Sequence, residues 1–483
     1  MPLPIYPEST CSSADQTQPS GTVTKKAAPF QGNVAFVTLG CAKNLVDSEV
    51  MLGVLLDQGY RAVENPEQAD VIVVNTCAFL QSAVEEGIDK ILEMAAYKKS
   101  ARCRKLIVAG CMVERYRQQL QAEIPEVDRF VSTDELLKIG EEGSTTAECF
   151  DQARRPYFLY DETMPRALST GKHSAFIKIS EGCNRPCAFC IIPKIRGGLR
   201  SRQQSSILSE FKLLLDHGVK EFNLVAQDLT AYGTDFPGNR GIKSELADLL
   251  SNIDQISQDD FWVRLFYAYP VGTNQELIRQ IIASQKICNY LDIPLQHVSN
   301  SVLKSMRRPL GEKGTRALIE SIREAAPDLA IRTTFILGFP GETEADVEML
   351  EEFVSAGHFT HVGAFTYSQE EEADSFTYPE QVPDQVKEAR RARIMAAQKK
   401  VVDQRLAKLV GSEMKVLVDG FHPDTELLLS ARTEWQGPET DGQVIINDVP
   451  EEFANQLSDL QGKFVRVKIT EVKDFDLIAT LIS

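Results

Sequence analysis

The sequence lacks long hydrophobic runs and lacks an excess of basic residues. No run of roughly 18 apolar residues occurs, so no transmembrane helix is expected. Among the 483 residues, Lys and Arg number 52 and Asp and Glu number 69, which gives a formal net charge of −17. Proteins that coat nucleic acids use Lys and Arg to displace counterions, so this balance argues against that class. The length predicts about three globular domains.

Targeting segments and common nucleotide motifs are also missing. No Walker A sequence and no Gly-x-Gly-x-x-Gly after a strand occurs, so nucleoside triphosphates and Rossmann cofactors gain no support. The first 30 residues lack an apolar signal segment and lack arginine. Their Pro, Ser and Thr content predicts a disordered leader over 1–30. We therefore expect a cytoplasmic protein, in whose reducing surroundings clustered thiols usually bind metals or take part in catalysis.

The region 31–150 alternates short apolar runs with segments of helical spacing. This alternation predicts a doubly wound parallel α/β sheet. A cysteine follows each run, and because parallel strands end at one edge of a sheet, the three thiols are expected to converge. The alternative is that buried free cysteines simply fill the strand ends. The runs are Val34–Leu39, Val71–Val74 and Leu106–Val108, followed by Cys41, Cys77 and Cys111.

The region 169–402 repeats the alternation with six apolar runs, which predicts a parallel barrel or partial barrel with its chemistry at the strand carboxyl ends. A charged helix over Pro383–Val410 closes this region and is interpreted as a solvated linking helix rather than a nucleic-acid site. The region 403–483 contains about five short strands, typical of a small OB-like barrel. The six predicted strands are Ala175–Ile179, Phe222–Val225, Trp262–Tyr267, Leu291–Ile293, Ile331–Leu337 and Val362–Thr366.

A Cys-x-x-x-Cys-x-x-Cys motif at Cys183, Cys187 and Cys190 follows the first strand of the middle region. A structural zinc site requires four ligands, and no fourth lies nearby at zinc-finger spacing. Three thiolates on one loop favour a 4Fe–4S cluster with one open iron. Zinc completed by a distant histidine, with His173 as the candidate, remains the alternative.

This motif resembles that of radical S-adenosylmethionine (SAM) enzymes, and the domain order resembles the methylthiotransferases of that superfamily. The resemblance implies a flavodoxin-like N-terminal domain, a radical SAM partial barrel and a C-terminal TRAM barrel. It implies two 4Fe–4S clusters, an auxiliary one on Cys41, Cys77 and Cys111 and one on Cys183, Cys187 and Cys190 that binds SAM. It also implies a sulfur donor and an electron donor such as flavodoxin or ferredoxin. Cys11, Cys103, Cys149 and Cys288 match no motif and are interpreted as free thiols.

Other residues fit this resemblance less closely. Gly338 and Gly341 follow a strand and resemble a SAM-contacting loop, although an ordinary strand-to-helix turn capped near Thr343 explains them as well. The pairs Gln227-Asp228 and Gln296-His297 also end strands at the expected active edge. His297 is as consistent with a packed, hydrogen-bonded residue as with a catalytic one. No catalytic side chain is assigned.

The substrate is predicted from the first cysteine segment and from charge. Ala-Lys-Asn after Cys41 resembles the branch that methylthiolates an aspartate β-carbon of small-subunit ribosomal protein twelve, whereas the branch acting on tRNA adenosine typically has Gln-Met-Asn. Residues 411–483 contain six basic and fourteen acidic residues. This balance opposes binding to a phosphate backbone and suits a basic ribosomal protein. A tRNA adenosine 2-methylthiotransferase and a non-enzymatic iron–sulfur or zinc module remain the alternatives.

Overall fold

The structure is a computed structural model that describes residues 28–141, 158–169, 171–239, 241, 243–257, 260–450, 453 and 457–482. Two compact units are present. One contains the described residues up to Ser169 together with Lys194–Gly197, and the other contains the remaining described residues. Apart from residues 28–30, the predicted leader lies outside the described residues, as do Cys11 and Cys149.

The first unit is built on a five-stranded parallel sheet with the order β2-β1-β3-β4-β5. This is the flavodoxin-like order of a doubly wound sheet. The central strand β3 is buried along its whole length, as expected for a β-branched strand covered on both faces. The elements are β1 (Gly32–Thr38), α1 (Ala42–Asp57), β2 (Tyr60–Ala62), β3 (Val71–Thr76), α2 (Gln81–Ser100), β4 (Lys105–Gly110), α3 (Cys111–Glu123) and β5 (Arg129–Val131).

The second unit begins with six parallel strands in the order β13-β12-β11-β10-β9-β6, an open sheet that follows the chain order. The strands are β6 (Ser174–Lys178), β9 (Glu221–Val225), β10 (Trp262–Leu265), β11 (Ile287–Asp292), β12 (Ala330–Leu337) and β13 (His361–Thr366), with a small hairpin of β7 (Ser180–Glu181) and β8 (Arg200–Ser201). The helices are α4 (Ile192–Ile195), α5 (Gln204–Asp216), α6 (Leu246–Asp254), α7 (Gln275–Ala283), α8 (Asn300–Ser305), α9 (Gly311–Ala325), α10 (Glu344–Ser355) and α11 (Asp384–Ala407).

The same unit ends in a closed five-stranded barrel with the order β14-β15-β16-β18-β17. Alternate residues of its strands form one apolar core that includes Val416, Ile446 and Val467. Closure leaves no unpaired edge, which protects such short strands from pairing with other chains. The strands are β14 (Glu413–His422), β15 (Thr425–Arg432), β16 (Val444–Asp448), β17 (Phe464–Lys473) and β18 (Asp476–Leu481).

A buried ionic network joins the open sheet to this barrel. Glu221, the first residue of β9, accepts two hydrogen bonds of 2.8 Å from Arg432 at the end of β15. The buried Arg264 of β10 donates to the same carboxylate at 3.1 Å. Arg432 also binds Asp419 at 2.7 and 2.8 Å, and His173 Nε2 lies 3.1 Å from Asp419. The network fixes the barrel against the amino ends of the sheet strands.

The architecture confirms the predicted fold class: a flavodoxin-like parallel sheet, a partial (β/α) barrel whose six parallel strands do not close, and a small five-stranded β-barrel. No helix among the described residues is long and apolar enough to cross a membrane. His173 precedes β6, whereas the cysteine loop follows that strand, so the zinc alternative that needed His173 as fourth ligand is wrong.

Candidate functional site

The first group of predicted ligands lies at the carboxyl edge of the flavodoxin-like sheet. Cys41 is the residue before α1, Cys77 directly follows β3, and Cys111 is the first residue of α3. Since β3 pairs with both β1 and β4, these positions follow three neighbouring strands. We call these three residues the N-terminal cysteine set.

Two glycines allow the turns that carry these cysteines to approach closely. Gly40 has a φ of +97°, and a Cβ atom there would lie 2.7 Å from Cys77 Cβ and 3.3 Å from its sulfur. Gly110 has a φ of +96°, and its Cβ would lie 2.2 Å from Asn75 Oδ1. Any larger residue would strain the backbone and push the turns apart.

The thiols of this set influence each other electrostatically. The pKa of Cys111 is raised to about 12, chiefly by burial. The charges of Cys77 and Cys41 also raise this pKa, and the charge of Arg196 partly opposes the rise. Burial also raises the pKa of Cys77. A cysteine thiol loses its proton when its sulfur binds a metal centre, even where burial has raised its pKa. Three such sulfurs at one sheet edge fit an iron–sulfur cluster held by three thiolates.

Arg196, which the sequence analysis did not single out, contacts this set within the first unit. Its Nε donates to Cys111 Sγ at 3.2 Å. Its Nη1 donates to Asp47 Oδ2 at 2.6 Å, and its Nη2 donates to Asn44 Oδ1. Asn44 in turn donates to the carbonyls of Leu39 and Thr76 at 3.1 and 3.0 Å, which ties the network to two strand ends.

The second group of predicted ligands lies in the loop after β6 and β7. Gly182, with a φ of +76°, precedes Cys183, whose sulfur accepts from the amide of Arg185 at 3.4 Å. The amide of Cys190 donates to the carbonyl of Cys187 at 3.2 Å, which closes the loop. Burial raises the pKa of Cys183 to about 11 and that of Cys190 to about 12. We call these three cysteines the loop cysteine set.

An aromatic ring and two arginines surround this loop. The guanidinium carbons of Arg185 and Arg308 each lie 4.2 Å from the ring centroid of Tyr269. Arg308 donates to Cys187 Sγ at 3.6 Å, and Arg185 binds Asp228 at 2.7 Å. Burial raises the pKa of Tyr269 to about 12. Two cationic groups thus lie beside the loop cysteine set.

Buried polar atoms without partners also occur at the carboxyl ends of these strands. Ser180 Oγ, Gln227 Oε1 and His297 Nε2 have no hydrogen-bond partner among the described residues. The amide nitrogen of Gln227 donates to Glu181, which also pairs with Lys178 at 2.8 Å. Buried polar groups are normally paired, so these atoms fit contacts to a polar ligand such as SAM.

The loop of Gly338 and Gly341 follows β12 at the same edge. Both glycines have positive φ values, +75° and +80°. Glu342 binds the amide of Gly338 with both carboxylate oxygens at 2.9 Å and pairs with Arg390 at 2.9 Å. Thr343 and Asp346 form a capping box at the start of α10, so the ordinary capped turn is present.

His297 is a packed and hydrogen-bonded residue at this edge. Its side chain is fully buried, and its Nδ1 accepts from the amide of Ser299 at 3.0 Å. That bond places the ring proton on Nε2, which lies 3.5 Å from Glu342 Oε2. The ring is therefore held through Nδ1, while its buried Nε2 has no hydrogen-bond partner among the described residues.

A cavity of about 730 Å³ opens at the opposite edge, beside the amino ends of β12 and β13. Its lining includes Arg332, His361, Gln398 and Trp435 and contains none of the predicted site residues. Chemistry in parallel α/β sheets takes place at the carboxyl ends of the strands, so this cavity is not the candidate reaction site.

Among the described residues, no three His, Cys, Asp or Glu side chains are placed to hold a single metal ion.

Comparison with known proteins places the chain in a family. Residues 33–132 match the model described as uncharacterized protein family UPF0004, residues 177–354 match the radical SAM superfamily, and residues 410–482 match the TRAM domain. The chain is 46% identical to the ribosomal protein uS12 methylthiotransferase RimO of Myxococcus xanthus, over 92% of this chain and 91% of that protein. It belongs to the RimO family. The RimO of Solibacter usitatus is 44% identical over 93% of this chain and 95% of that protein.

Membership of the RimO family makes the chain a radical SAM methylthiotransferase, an enzyme class that uses SAM and iron–sulfur chemistry. Among solved structures, the radical SAM methyltransferase TsrM of Kitasatospora setae is similar with a TM-score of 0.49 and 16% identity, over 69% of this chain and 72% of that one.

Proposed function

We propose that this chain methylthiolates the β-carbon of an aspartate in ribosomal protein uS12. The observation that carries methylthiolation by two clusters is the presence of two separate sets of three cysteines, each at the carboxyl edge of a parallel sheet. The names of its relatives support uS12 as the substrate. Iron–sulfur clusters need reducing surroundings, which favours the cytoplasm as the compartment. The proposal also includes a flavodoxin or ferredoxin as the electron donor and a separate sulfur donor.

In this proposal each cysteine set holds one 4Fe–4S cluster. Cys183, Cys187 and Cys190 hold the cluster that binds SAM, and Cys41, Cys77 and Cys111 hold an auxiliary cluster. Together with SAM, the bound clusters supply the electron, the hydrogen-abstracting radical, the sulfur and the methyl group. The chain's own share is binding, orientation and exclusion of water.

Individual side chains have defined parts in this arrangement. The Gly338 and Gly341 loop, latched by Glu342, lets the backbone approach SAM closely. Arg308 and Arg185 offer positive charge beside the loop cysteine set, which counters the negative charge of ligating thiolates. Among these groups, Arg308 and Glu342 are buried, which helps to exclude water from the reacting atoms.

Charge supports a basic protein as the substrate. The terminal barrel carries fourteen acidic and six basic residues between Gly411 and Ser483. Arg432 is buried against Glu221 and Asp441 is buried beside Arg332, so neither contributes to surface binding and the acidic excess of the barrel is unchanged. An acidic surface steers a basic partner and repels a phosphate backbone.

The decisive experiment is mass spectrometry of uS12 and of tRNA nucleosides from a deletion strain and from the complemented strain. We expect uS12 to lose its methylthio group in the deletion strain while the tRNA nucleosides stay unchanged. Loss of a methylthioadenosine instead would establish the tRNA alternative and reject the proposal.

A second measurement tests the number of clusters. The reconstituted chain should contain about eight iron and eight sulfide ions per chain, whereas a single cluster would give about four of each.

A further inference from the structure

Arg196 occupies an unusual place in the chain. It follows Cys190 by six residues, yet the segment Lys194–Gly197 packs as part of the first unit. Its side chain is 4% exposed, and that of its partner Asp47 is 2% exposed. A short excursion of the chain thus brings a buried cation to the N-terminal cysteine set.

The acceptors of this guanidinium differ in kind. One edge meets the carboxylate of Asp47 at 2.6 Å, which satisfies its charge. The Nε–H points instead at Cys111 Sγ, 3.2 Å away. A neutral thiol is a weak acceptor, whereas bonds from an arginine to an ionised acceptor are short and about twice as strong. The Cys111 thiol also donates to Asn44 Oδ1 at 3.6 Å, and loss of this proton on metal binding would leave a thiolate that accepts the stronger, charge-assisted bond from Arg196.

Stability alone does not explain such an ion pair. Removing two charges from water opposes folding, and apolar replacements of buried ion pairs are often neutral or stabilising. The guanidinium is also oriented, since Asp47 and Asn44 hold its two terminal nitrogens. Orientation of a charged donor toward one sulfur is a feature of a group that tunes a metal ligand.

We propose that Arg196 is the positioning residue of the auxiliary cluster, holding Cys111 and raising the reduction potential of that cluster, with Asp47 opposing its charge. The inference rests on the proposed function, in which Cys41, Cys77 and Cys111 hold a cluster. Hydrogen bonds to sulfur and net charge both set cluster potentials. A cationic N–H donor stabilises the reduced form more than the oxidised form, because the reduced form carries one more negative charge.

Two substitutions should move the potential in opposite directions. Arg196→Met keeps the approximate length of the side chain and removes both the donor and the charge, so the potential should become more negative. Asp47→Asn removes the opposing carboxylate and keeps an acceptor for the arginine, so the potential should become less negative. Arg196→Lys keeps the positive charge but lacks the planar guanidinium with its several donors, so it should shift the potential to more negative values by a smaller amount.

The measurement is a redox titration followed by electron paramagnetic resonance, in full-length chain with Cys183, Cys187 and Cys190 replaced by alanine so that a single cluster titrates. The control is Arg166→Met, which removes another buried arginine of the same unit, one paired with Glu49 at 2.6 Å. It should leave the potential unchanged. In the six-cysteine chain, the same variants should shift only one of two titration steps.

The inference is overturned by an unchanged potential in Arg196→Met, or by shifts of the same sign in Arg196→Met and Asp47→Asn. Should Arg196→Met fail to fold, Arg196→Lys and Asp47→Asn decide the matter through their opposite signs. If the alanine background binds no iron, the auxiliary cluster is rejected and the role of Arg196 falls with it, whereas bound iron with an unchanged potential in Arg196→Met rejects the role of Arg196 alone.

Discussion

Cys77 and Cys187 belong to different cysteine sets, and the proposed reaction assigns them to different steps. Cys187→Ala should abolish 5′-deoxyadenosine formation, because the SAM-binding cluster loses one of three ligands. Cys77→Ala should leave SAM cleavage within about twofold and stop sulfur insertion into uS12. Both results come from one assay that measures 5′-deoxyadenosine by chromatography and methylthiolated uS12 by mass.

The matched control for these variants is Cys103→Ala. Cys103 is buried and its sulfur donates to the carbonyl of Lys105 at 3.5 Å, so its loss should cost some stability while both products still form. Intact methylthiolation in Cys77→Ala would reject the auxiliary cluster.

The six cysteines are predicted as ligands from sequence spacing, because each lies in a local pattern, either at a strand end or within one loop. Arg196, Asp47, Tyr269 and Arg308 had no such pattern. Arg196 reaches Cys111 across 85 positions and Arg308 reaches Cys187 across 121. Contacts of this length depend on the folded topology, and a single arginine in a sequence resembles any solvated surface cation.

The loop after β12 depends on glycine at Gly338. Its φ is +75°, and a Cβ atom there would lie 2.2 Å from Lys387 Cγ on α11. We expect Gly338→Ala to lower the free energy of unfolding by about 1–3 kcal/mol through backbone strain. It should also raise the Kd for SAM, because the loop must move away from the helix.

The matched control is Gly357→Ala at the end of α10. Gly357 has a φ of +80°, but its nearest side-chain atom to a new Cβ is Val401 Cγ1 at 3.9 Å. Similar backbone strain should therefore appear in thermal unfolding without a change in SAM binding by calorimetry. Equal SAM affinities for both variants would argue against a SAM contact at Gly338.

Among the elements, the long periodic ones were predictable and the shortest were not. The strands that contain Val71–Val74 and Ile331–Leu337 were recognised from their apolar runs, and the helix within Pro383–Val410 from its initial proline and its charged residues. The edge strands β2 and β5 were missed because each has only three residues. A three-residue strand shows no period of its own and forms because a neighbouring strand offers free backbone groups.

Within the second unit, Glu221 connects the open sheet with the terminal barrel. Burial alone would raise its pKa, but the charges of Arg432 and Arg264 outweigh burial and hold the pKa well below its usual range. Glu221→Gln leaves two buried arginines without their shared counterion. We expect a loss of about 3–5 kcal/mol in the free energy of unfolding at pH 7, measured in urea.

This loss should depend on pH with a definite sign. A glutamate in the unfolded chain has a pKa of about 4.3, so the contribution of Glu221 to the free energy of unfolding is fully present above that pH. It is lost as pH falls through the lower pKa of the folded state. The stability difference between the wild type and Glu221→Gln should therefore shrink progressively below about pH 4. The exposed Glu426→Gln is the control, and a difference that grows on acidification would contradict the network.

At the scale of the whole molecule, the net charge of −17 is the property that the proposed substrate would meet first. Much of the negative charge lies on the terminal barrel, where Asp424, Glu426 and Glu471 are exposed. Composition alone indicated this property, because net charge is a sum over residues and needs no fold. Which acidic side chains face solvent required the structure.

Reversal of these three charges tests whether the barrel recognises a basic protein. The variant with Asp424→Lys, Glu426→Lys and Glu471→Lys should raise the KM for uS12 by about tenfold at low salt and leave kcat unchanged, since steering affects encounter rather than chemistry. The wild-type KM should rise with ionic strength, whereas the KM of the variant should depend on it less. The control reverses the exposed Glu85 and Glu86 of α2, which makes the net charge less negative at residues far from the barrel in the sequence. This control should change the KM for uS12 by less than about twofold. Equal effects from both reversals would mean that total charge, rather than the barrel surface, attracts the substrate.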